Sequence, residues 1–299
     1  MTWGAAALLT ACAGARGATV ARPTPPEARE EVTLSELSDA PVTAPALPPG
    51  LPPGLLGARG GRHRLLHFTF DDGPRPHTTP RLLTHLARYH VQATFFVVTR
   101  ALEDPRRRET ARRTLSRMAR EGHTVGLHGH DHTGFRHLSD RGLTEQLQLG
   151  SRLVAEITER APTLVRPPYG GRDRRTDRVV ARMGLHQVLW SMTPERPRHD
   201  GQEAIVDQFR SQLAAREEDS HPGTVVLLHD TRPWVVEAFP RIMRHVQRRN
   251  CQLLASGAEL WDVVPSLEAL QASDEEVAER QAMRRAEAAA YCARHGFDT

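Results

Sequence analysis

The sequence predicts an α/β fold, specifically a distorted (β/α) barrel of about seven parallel strands. Short apolar runs alternate with amphipathic helical segments from residue 65 onward, which is typical of parallel strands joined by right-handed crossovers. The number of runs favours barrel-like closure over an open sheet. Charged or histidine-rich turns follow several of the runs. In parallel α/β folds the loops at the carboxyl ends of the strands carry the chemistry, so we expect the functional residues in these turns.

The composition fits one globular domain with tails and argues against a nucleic-acid-binding protein. The 299 residues include 40 lysines and arginines, all of them arginine, against 36 acidic residues. This charge is scattered along the chain without interleaved aromatic residues, so we expect no nucleic-acid partner. The three cysteines, at positions 12, 251 and 292, are too few and too widely spaced for a disulfide framework or a cysteine zinc site. We therefore expect any metal to be held by histidine and aspartate.

Residues 1–12 resemble a truncated lipoprotein-type export signal. An apolar run too short to span a bilayer ends in Leu9-Thr10-Ala11-Cys12, which is similar to a bacterial lipoprotein box. In such a box the signal is cut before the cysteine, and Cys12 would carry a lipid anchor to the membrane. No basic residue precedes the run, so plain export and an alanine-rich stretch without a role are the alternatives. Both export hypotheses place the protein outside the cytoplasm, in the bacterial cell envelope.

Residues 13–62 are predicted to be a proline-rich linker. They show no sustained hydrophobic period, and Pro-Pro-Gly recurs between residues 46 and 54, which favours an extended chain. Such a linker would let a tethered domain reach a polymer, although a disordered leader without a role has the same composition. The catalytic domain is expected at 63–265 and a C-terminal helical extension at 266–299.

The chain from residue 65 divides into strands and helices in a regular order. Strands are expected at 65–70, 93–98, 124–127, 163–165, 187–190 and 224–228, with a weaker one at 252–254. The first helix should be capped by Thr79, with Pro80 at its first position. Further helices are expected at 109–120, 143–160, 175–183, 202–216 and 234–248. In the C-terminal extension, Ser273 and Glu276 fit a capping box, and Gly296 fits a C-terminal cap.

Two adjacent carboxylates, Asp71 and Asp72, stand where the first apolar run ends. Neighbouring side chains of a regular strand point to opposite faces, so a shared site requires the backbone to turn, which Gly73 permits. Two carboxylates in one pocket resist joint ionisation unless a cation binds one and a positive group holds the other. The pair therefore predicts a metal and an arginine nearby.

Histidines follow the third apolar run. His128 and His132 lie four residues apart, so a helical turn or a tight loop would put both imidazoles on one side, while His130 would point elsewhere. Together with Asp72 they form a two-histidine, one-carboxylate metal site that leaves coordination positions open. A solvated, histidine-rich turn is the structural alternative. The position of the pair at a strand end favours the metal site.

The fourth apolar run ends in Arg166-Pro167-Pro168-Tyr169-Gly170. The prolines restrict the backbone conformation and the glycine allows it to turn, so backbone N–H groups of this segment can point into a pocket. Arg166 could at the same time reach a carboxylate such as Asp71. A rigid turn with a surface arginine is the alternative interpretation.

A further histidine, His229, stands at the exit of a fully apolar run, where Asp230 is able to influence its orientation or pKa. A buried structural histidine is the alternative. Trp190 closes the run at 187–190 and could form an apolar wall of the site or belong to the core.

At these residues the sequence resembles the polysaccharide deacetylases, which form the NodB homology domain of carbohydrate esterase family 4. The similar motifs, in the order of the family, are residues 69–74, 93–97, 122–123 with 128–132, 166–170 and 228–230. The resemblance covers about residues 65–265. It implies a distorted (β/α) barrel and the metal-dependent removal of N- or O-acetyl groups from carbohydrates.

The resemblance also implies a role for each candidate residue. Asp71 is expected to be the base, with Arg166 beside it, and His229 is expected to be the acid. Tyr169 is expected to donate its backbone N–H. The expected ligands of a divalent metal are Asp72, His128 and His132. Zinc is the expected metal, with cobalt and nickel as alternatives. Trp190, Leu227 and Pro168 are expected to contact the substrate. We expect the partner to be an acetylated glycan, such as peptidoglycan or a chitin-like polymer, and the protein to be a monomer.

The chain departs from the family pattern after Trp190. Family members often carry an aspartate followed by a tryptophan there, whereas residues 191–197 read Ser-Met-Thr-Pro-Glu-Arg-Pro. The resemblance therefore does not predict the surroundings of Arg166 or the shape of the substrate subsite. A xylan-type O-acetyl esterase, a deformylase for a lipid-linked sugar and a noncatalytic carbohydrate-binding relative are the alternative functions. Loss of a ligand, base or acid would favour the last of these, and none is lost.

Overall fold

The computed structural model describes residues 61–196 and 201–297. Its strands are β1 (Leu65–Asp71), β2 (Thr94–Val97), β3 (Thr124–Leu127), β4 (Leu164–Val165), β5 (His186–Gln187), β6 (Thr224–His229) and β7 (Asp262–Val263). Its α-helices are α1 (Thr79–Arg88), α2 (Arg108–Arg120), α3 (Asp140–Thr158), α4 (Arg174–Arg182), α5 (Gln202–Glu217), α6 (Pro233–Ala255) and α7 (Asp274–His295). The expected signal, lipid anchor and nearly all of the expected linker lie outside the described residues.

The strands form one parallel sheet in the order β5-β4-β3-β2-β1-β6, with β7 paired to the start of β1. The segment after β5 reaches β6 through a parallel bridge between Met192 and Val226, and the Leu227 amide donates to the Met192 carbonyl over 2.9 Å. This contact brings the two ends of the sheet together. The predicted fold class, a distorted barrel of about seven parallel strands, is confirmed.

Strand β1 runs through the centre of the sheet and is buried along its whole length. Its outer face packs against helix α6 and the neighbouring strand β2: the rings of Phe68 and Phe239 lie 5.3 Å apart, and those of Phe70 and Phe95 also lie 5.3 Å apart. Because side chains alternate along a strand, its inner face carries His67, Thr69 and Asp71. Apolar packing outside the sheet therefore fixes a row of polar groups inside it.

The inner row is hydrogen-bonded within the barrel. His67 Nδ1 lies 2.9 Å from the carbonyl of Val264, and its Nε2 lies 2.9 Å from Thr94 Oγ1. Burial lowers the pKa of His67 to about 4, so the imidazole is neutral, with Nδ1–H donating to the carbonyl and Nε2 accepting from the hydroxyl. Thr69 Oγ1 donates to the Val226 carbonyl over 2.8 Å. The polar side chains of His67 and Thr69, which lie inside the barrel below the strand ends, are thus hydrogen-bonded within the protein.

Most of the predicted helices are confirmed, with small shifts at their ends. The N-cap of α1 is Thr78 and not Thr79, which is the first helical residue. The Ser273–Glu276 capping box is present at the start of α7, and Gly296 ends that helix in the left-handed conformation with φ 69°. Among the described residues, no helix is long and apolar enough to cross a membrane.

The expected strand at 252–254 is wrong, because these residues continue α6 to Ala255. Leu253 is buried on the same face of that helix as Ile242 and Val246, so the apolar residues that suggested a strand belong to a helical period. The seventh strand is instead the two-residue β7, which pairs with Leu65 and Leu66. A strand of two residues is too short to produce a periodic pattern in the sequence.

The sequence analysis excluded a disulfide framework but did not predict the one disulfide that the described residues contain. Cys251 of α6 and Cys292 of α7 are bonded, with a Cα–Cα distance of 5.8 Å across a separation of 41 residues. The two helices pack against each other, which brings together cysteines that are distant in sequence. The C-terminal helix is also held by Arg280, whose Nε lies 2.6 Å from the buried Asp262 carboxylate of β7. Helix α7 therefore braces the strand that pairs with β1.

We predict that the double variant Cys251→Ser/Cys292→Ser is less stable than the wild type by about 2–4 kcal/mol, because a loop of this length loses the constraint on its unfolded chain. Chemical denaturation under oxidising conditions would measure the difference in the free energy of unfolding. Cys12→Ser is the matched control and should leave that free energy unchanged. Equal stability of the double variant and the wild type would contradict the bracing role.

Candidate active site

The barrel brings the motif residues together at the carboxyl ends of its strands. Asp71 ends β1 and Asp72 follows it, while His229 ends β6 and pairs in register with Asp71. His128 follows β3, and Arg166 follows β4. Each motif comes from a different strand, so the site exists only when the sheet is complete.

Three side chains form a compact cluster of donor atoms suited to a metal ion. One ligand atom each from Asp72, His128 and His132 lie within 4.8 Å of one another. Asp72 Oδ1 is 3.5 Å from His128 Nε2 and 3.1 Å from His132 Nε2. Asp72 and His132 reach this position with left-handed backbones, φ 77° and φ 67°, which is a strained conformation for such residues. The backbone turn after Asp71 thus places the Asp72 carboxylate in the cluster, as the sequence predicted.

The chemistry of these three residues fits a bound cation. Asp72 Oδ1 is a buried oxygen without a hydrogen-bond partner, and such an atom is costly unless something positive occupies the space beside it. His128 Nδ1 donates to the Arg166 carbonyl over 2.7 Å, which leaves the lone pair of Nε2 free to coordinate.

The pKa directions agree with this arrangement. Burial lowers the pKa of His128, which keeps its imidazole neutral. Burial alone would raise the pKa of Asp72, but the histidines around it, first of all His132, outweigh this effect and lower that pKa. A neutral imidazole and an ionised carboxylate are the forms that bind a divalent metal.

Arg166 is a fully buried arginine whose guanidinium has four hydrogen-bond partners. Its Nη1 donates to Asp71 Oδ1 over 2.7 Å and to Thr69 Oγ1 over 2.8 Å. The remaining donors reach the carbonyls of Val188 and Leu189, and Cζ lies 4.2 Å from the centre of the Phe96 ring. The expected contact between Arg166 and Asp71 is therefore present, and it is buried. The other oxygen of Asp71 faces the cluster, 3.6 Å from His128 Nε2.

His229 also borders the metal cluster, with its Nε2 3.9 Å from Asp72 Oδ2. Its Nδ1 is 3.1 Å from Glu195 Oε1, and its backbone amide donates to the same oxygen over 2.6 Å. Arg232 Nη1 lies 2.7 Å from the second oxygen of Glu195. Burial alone would lower the pKa of His229, but the hydrogen bond and charge of Glu195, with the charges of Asp72 and Asp71, raise it. Glu195 thus favours the protonated form of His229.

Asp230, which the sequence suggested as an influence on His229, is not its hydrogen-bond partner in the described part of the chain. Asp230 points away, accepts a hydrogen bond from Thr79 Oγ1 and packs beneath Gly73; burial raises its pKa to about 7. Adjacent residues of a strand face opposite sides, so Asp230 cannot share the inner face with His229. The partner is Glu195, in the stretch where the Asp-Trp pair of the family is missing. The one feature of the sequence that could have indicated Glu195 was a carboxylate five residues after Trp190.

The remaining expected residues surround this centre at different depths. The Tyr169 side chain is 78% exposed, and its ring lies edge-on to that of His132 at 4.8 Å. Trp190 is partly buried, with its ring 5.7 Å from Arg166 Cζ. Pro168 and Leu227 are buried, and Leu227 lies two residues before His229 on the inner face of β6. Substrate contacts by Trp190, Pro168 and Leu227 stay predictions.

A parallel α/β barrel with a metal-type cluster, a carboxylate held by a buried arginine and a histidine held by a buried glutamate at its strand ends has the parts of a metal-assisted hydrolase. A family model for polysaccharide deacetylase matches residues 58–188. The chitooligosaccharide deacetylase of Bradyrhizobium sp. is 34% identical over 172 residues, which cover 57% of this chain and 72% of that protein. The chain belongs to the polysaccharide deacetylase family.

Two further comparisons agree with this assignment. The peptidoglycan-N-acetylmuramic acid deacetylase PdaC of Bacillus subtilis is 32% identical over 192 residues, or 64% of this chain. The match spans 38% of the length of that relative. The solved structure of PdaC superposes with a TM-score of 0.55 at 29% identity, covering 75% of this chain and 96% of the chain in that structure.

We predict that His128→Ala and His132→Ala lose most of their metal, because each removes one of three ligands. Elemental analysis of the purified proteins gives the bound metal per chain. His130→Ala is the matched control: it stands between the two ligands, its Nδ1 is 3.1 Å from Thr99 Oγ1, and it should keep wild-type occupancy. Full occupancy in both ligand variants would exclude the assignment.

We predict that Glu195→Gln moves the alkaline limb of the pH profile of kcat/KM to lower pH. Glu195 raises the pKa of His229, and an acid works only while protonated, so activity is present below that pKa and is lost as the pH rises through it. Removing the carboxylate charge lowers the pKa, and activity is then lost earlier. A Glu195→Gln profile that overlays the wild-type profile would show that another group sets this pKa.

Proposed function

We propose that the protein is a metal-dependent deacetylase that hydrolyses N-acetyl groups of an envelope or extracellular glycan and acts as a monomer. The observation that carries this proposal is the convergence on one site of Asp71 held by Arg166, the Asp72–His128–His132 cluster, and His229 held by Glu195. These supply a base, a cation site and an acid, which are the groups that amide hydrolysis requires. The family and its glycan-deacetylating relatives support the same reaction.

Asp71 is proposed as the base. Its Oδ1 is occupied by Arg166, whereas its Oδ2 faces the cluster, so one oxygen is anchored and the other is free to take a proton from an attacking water. The backbone N–H of Tyr169, a residue whose ring lies against that of His132, would stabilise the developing oxyanion. A divalent metal held by Asp72, His128 and His132, with zinc the first candidate, would polarise the acetyl carbonyl and lower the pKa of the water.

His229 is proposed as the acid. An amide nitrogen is a poor leaving group unless it is protonated, so an acid is needed besides the base. The side chain is about one-fifth exposed and its Nε2 faces the cluster, while Nδ1 is held by Glu195. This leaves Nε2–H available to the departing amine. An O-acetyl ester would need the same base but depend less on the acid.

We predict that His229→Ala keeps its metal but loses about two to four orders of magnitude in kcat/KM on amide substrates, the range typical of a lost general acid. On an acetyl ester with a phenolate leaving group, the loss should be much smaller because phenolate departs without protonation. Asp71→Asn should impair both substrates, since water must be activated in either case. If His229→Ala lowered kcat/KM equally on the amide and the ester while retaining its metal and its fold, His229 would have an orienting role only.

We also propose that residues 1–12 are a lipoprotein-type signal and that Cys12 anchors the protein to the cell-envelope membrane, with 13–62 as the linker to the catalytic domain. The Leu-Thr-Ala sequence before Cys12 supports this assignment. The full-length product should partition with membranes, and Cys12→Ser should be released to the soluble fraction. The Cys251→Ser/Cys292→Ser protein is the control and should stay with the membranes. Identical partitioning of Cys12→Ser and the wild type would favour plain export.

A further inference from the structure

Glu195 is a buried carboxylate whose two oxygens contact different groups, and only 4% of its side chain is exposed. Oε1 accepts from the His229 backbone amide over 2.6 Å and lies 3.1 Å from the ring Nδ1. Oε2 lies 2.7 Å from Arg232 Nη1. Within residues 61–196 and 201–297, Arg232 is the one arginine within salt-bridge distance of Glu195. A buried carboxylate is costly unless its charge is compensated, so the position of Glu195 depends on Arg232.

The loop before Glu195 is fixed through its backbone. The Thr193 amide donates to Gln212 Oε1 over 3.1 Å, and Gln212 Nε2 donates to the Thr193 carbonyl over 2.8 Å, so α5 holds the chain two residues before Glu195. In the described part of the chain, the hydrogen bonds and ion pairs of the Glu195 side chain all go to His229 and Arg232. The direction of this carboxylate is therefore set by the turn after β6 and not by its own loop.

Arg232 and His229 belong to one turn. His229 ends β6, Arg232 is the N-cap residue of α6, and the Arg232 amide donates to the His229 carbonyl over 3.2 Å. From this turn both side chains reach the same carboxylate, Arg232 at Oε2 and His229 at Oε1. The other ring nitrogen of His229, Nε2, lies 3.9 Å from Asp72 Oδ2 at the edge of the metal cluster. Contacts thus run from Arg232 through Glu195 to the ring that is proposed to act as the acid.

We propose that Arg232 is a positioning residue for the acid step: it holds Glu195, and Glu195 in turn fixes the His229 ring with Nε2 toward the cluster. The proposal rests on the deacetylase function proposed above. Without Arg232, Oε2 would be a buried oxygen with no opposite charge beside it, and the carboxylate would turn toward solvent and release Nδ1. Because Arg232 acts through Glu195, its loss should affect only the step that needs the acid.

A second arginine of α6 provides a matched control. Arg241 Nη2 lies 2.7 Å from Glu203 Oε2, so Arg241 also pairs with a glutamate from another element. The Glu203 side chain is 65% exposed, however, and exposed ion pairs contribute little. Arg241→Ala should therefore leave the His229 ring and the activity of the protein unchanged.

The first measurement reports on the ring without turnover. An imidazole N–H held by a carboxylate exchanges slowly with water and gives a downfield proton resonance, which in zinc-loaded protein is assigned to His229 by its absence in His229→Ala. We expect this resonance in the wild type and in Arg241→Ala, and its loss in Arg232→Ala. Arg232→Lys should retain it, because Nη1 makes a single contact with Oε2 that an ammonium group can replace.

The second measurement separates the acid step from the others. On an N-acetylated glycan oligomer, Arg232→Ala should lower kcat by up to about 100-fold, the cost of a misplaced catalytic group, with KM and zinc content unchanged. On an acetyl ester with a phenolate leaving group, the loss should be much smaller. In a His229→Ala background, Arg232→Ala should cause no further loss on the glycan, because the group that it positions is already absent.

Any of three results would overturn the proposal: a resonance that persists in Arg232→Ala, equal losses on the glycan and the ester, or a further loss in the His229→Ala background. An increase in KM with kcat unchanged would also overturn it, by showing that Arg232 binds the substrate. If the wild type released no acetate from any glycan, the proposed deacetylase function would fail, and the resonance would still decide whether Arg232 holds His229 in place.

Discussion

The buried contact between Arg166 and Asp71 is the interaction on which the site depends. Removing one partner of such a pair leaves an unpaired buried charge and costs about 3–5 kcal/mol. The barrel offsets the burial of Arg166 with three further hydrogen bonds, to Thr69 and to the carbonyls of Val188 and Leu189, and with the face of the Phe96 ring. The contacts come from β1, β2 and the segment after β5, so the guanidinium joins strands that are distant in sequence.

Arg166 also connects the two halves of the proposed chemistry. Its side chain fixes one oxygen of Asp71, and its carbonyl accepts the Nδ1–H of His128. One residue thus sets the orientation of the base and the tautomer of a metal ligand. Glu195 has a corresponding role for His229. Its Oε1 accepts a hydrogen bond from the His229 backbone amide and lies within hydrogen-bond distance of the ring Nδ1. The proposed base and the proposed acid are thus each held by a buried partner able to carry the opposite charge, and both border the Asp72–His128–His132 cluster.

The sequence was sufficient for the residues whose position follows from strand order. Asp71, Asp72, His128, Arg166 and His229 all stand at the ends of apolar runs, and parallel strands bring such ends to one edge of the sheet. Glu195 was missed because its loop has no periodic pattern and its partner is 34 residues away. The Cys251–Cys292 bond and the strand at Asp262–Val263 were missed for a related reason: both depend on how α6 and α7 pack, which no local pattern encodes.

The most direct test of this account is the activity of zinc-loaded Arg166→Lys on soluble N-acetylated glycan fragments, measured with its metal content. Lysine keeps the positive charge but cannot reach Asp71, Thr69 and both carbonyls at once, because its ammonium group is a single point donor. The account predicts near wild-type zinc occupancy and a loss of about 100-fold or more in kcat/KM, the cost of a misplaced catalytic group. Activity within about threefold of the wild type, at full zinc occupancy, would contradict it.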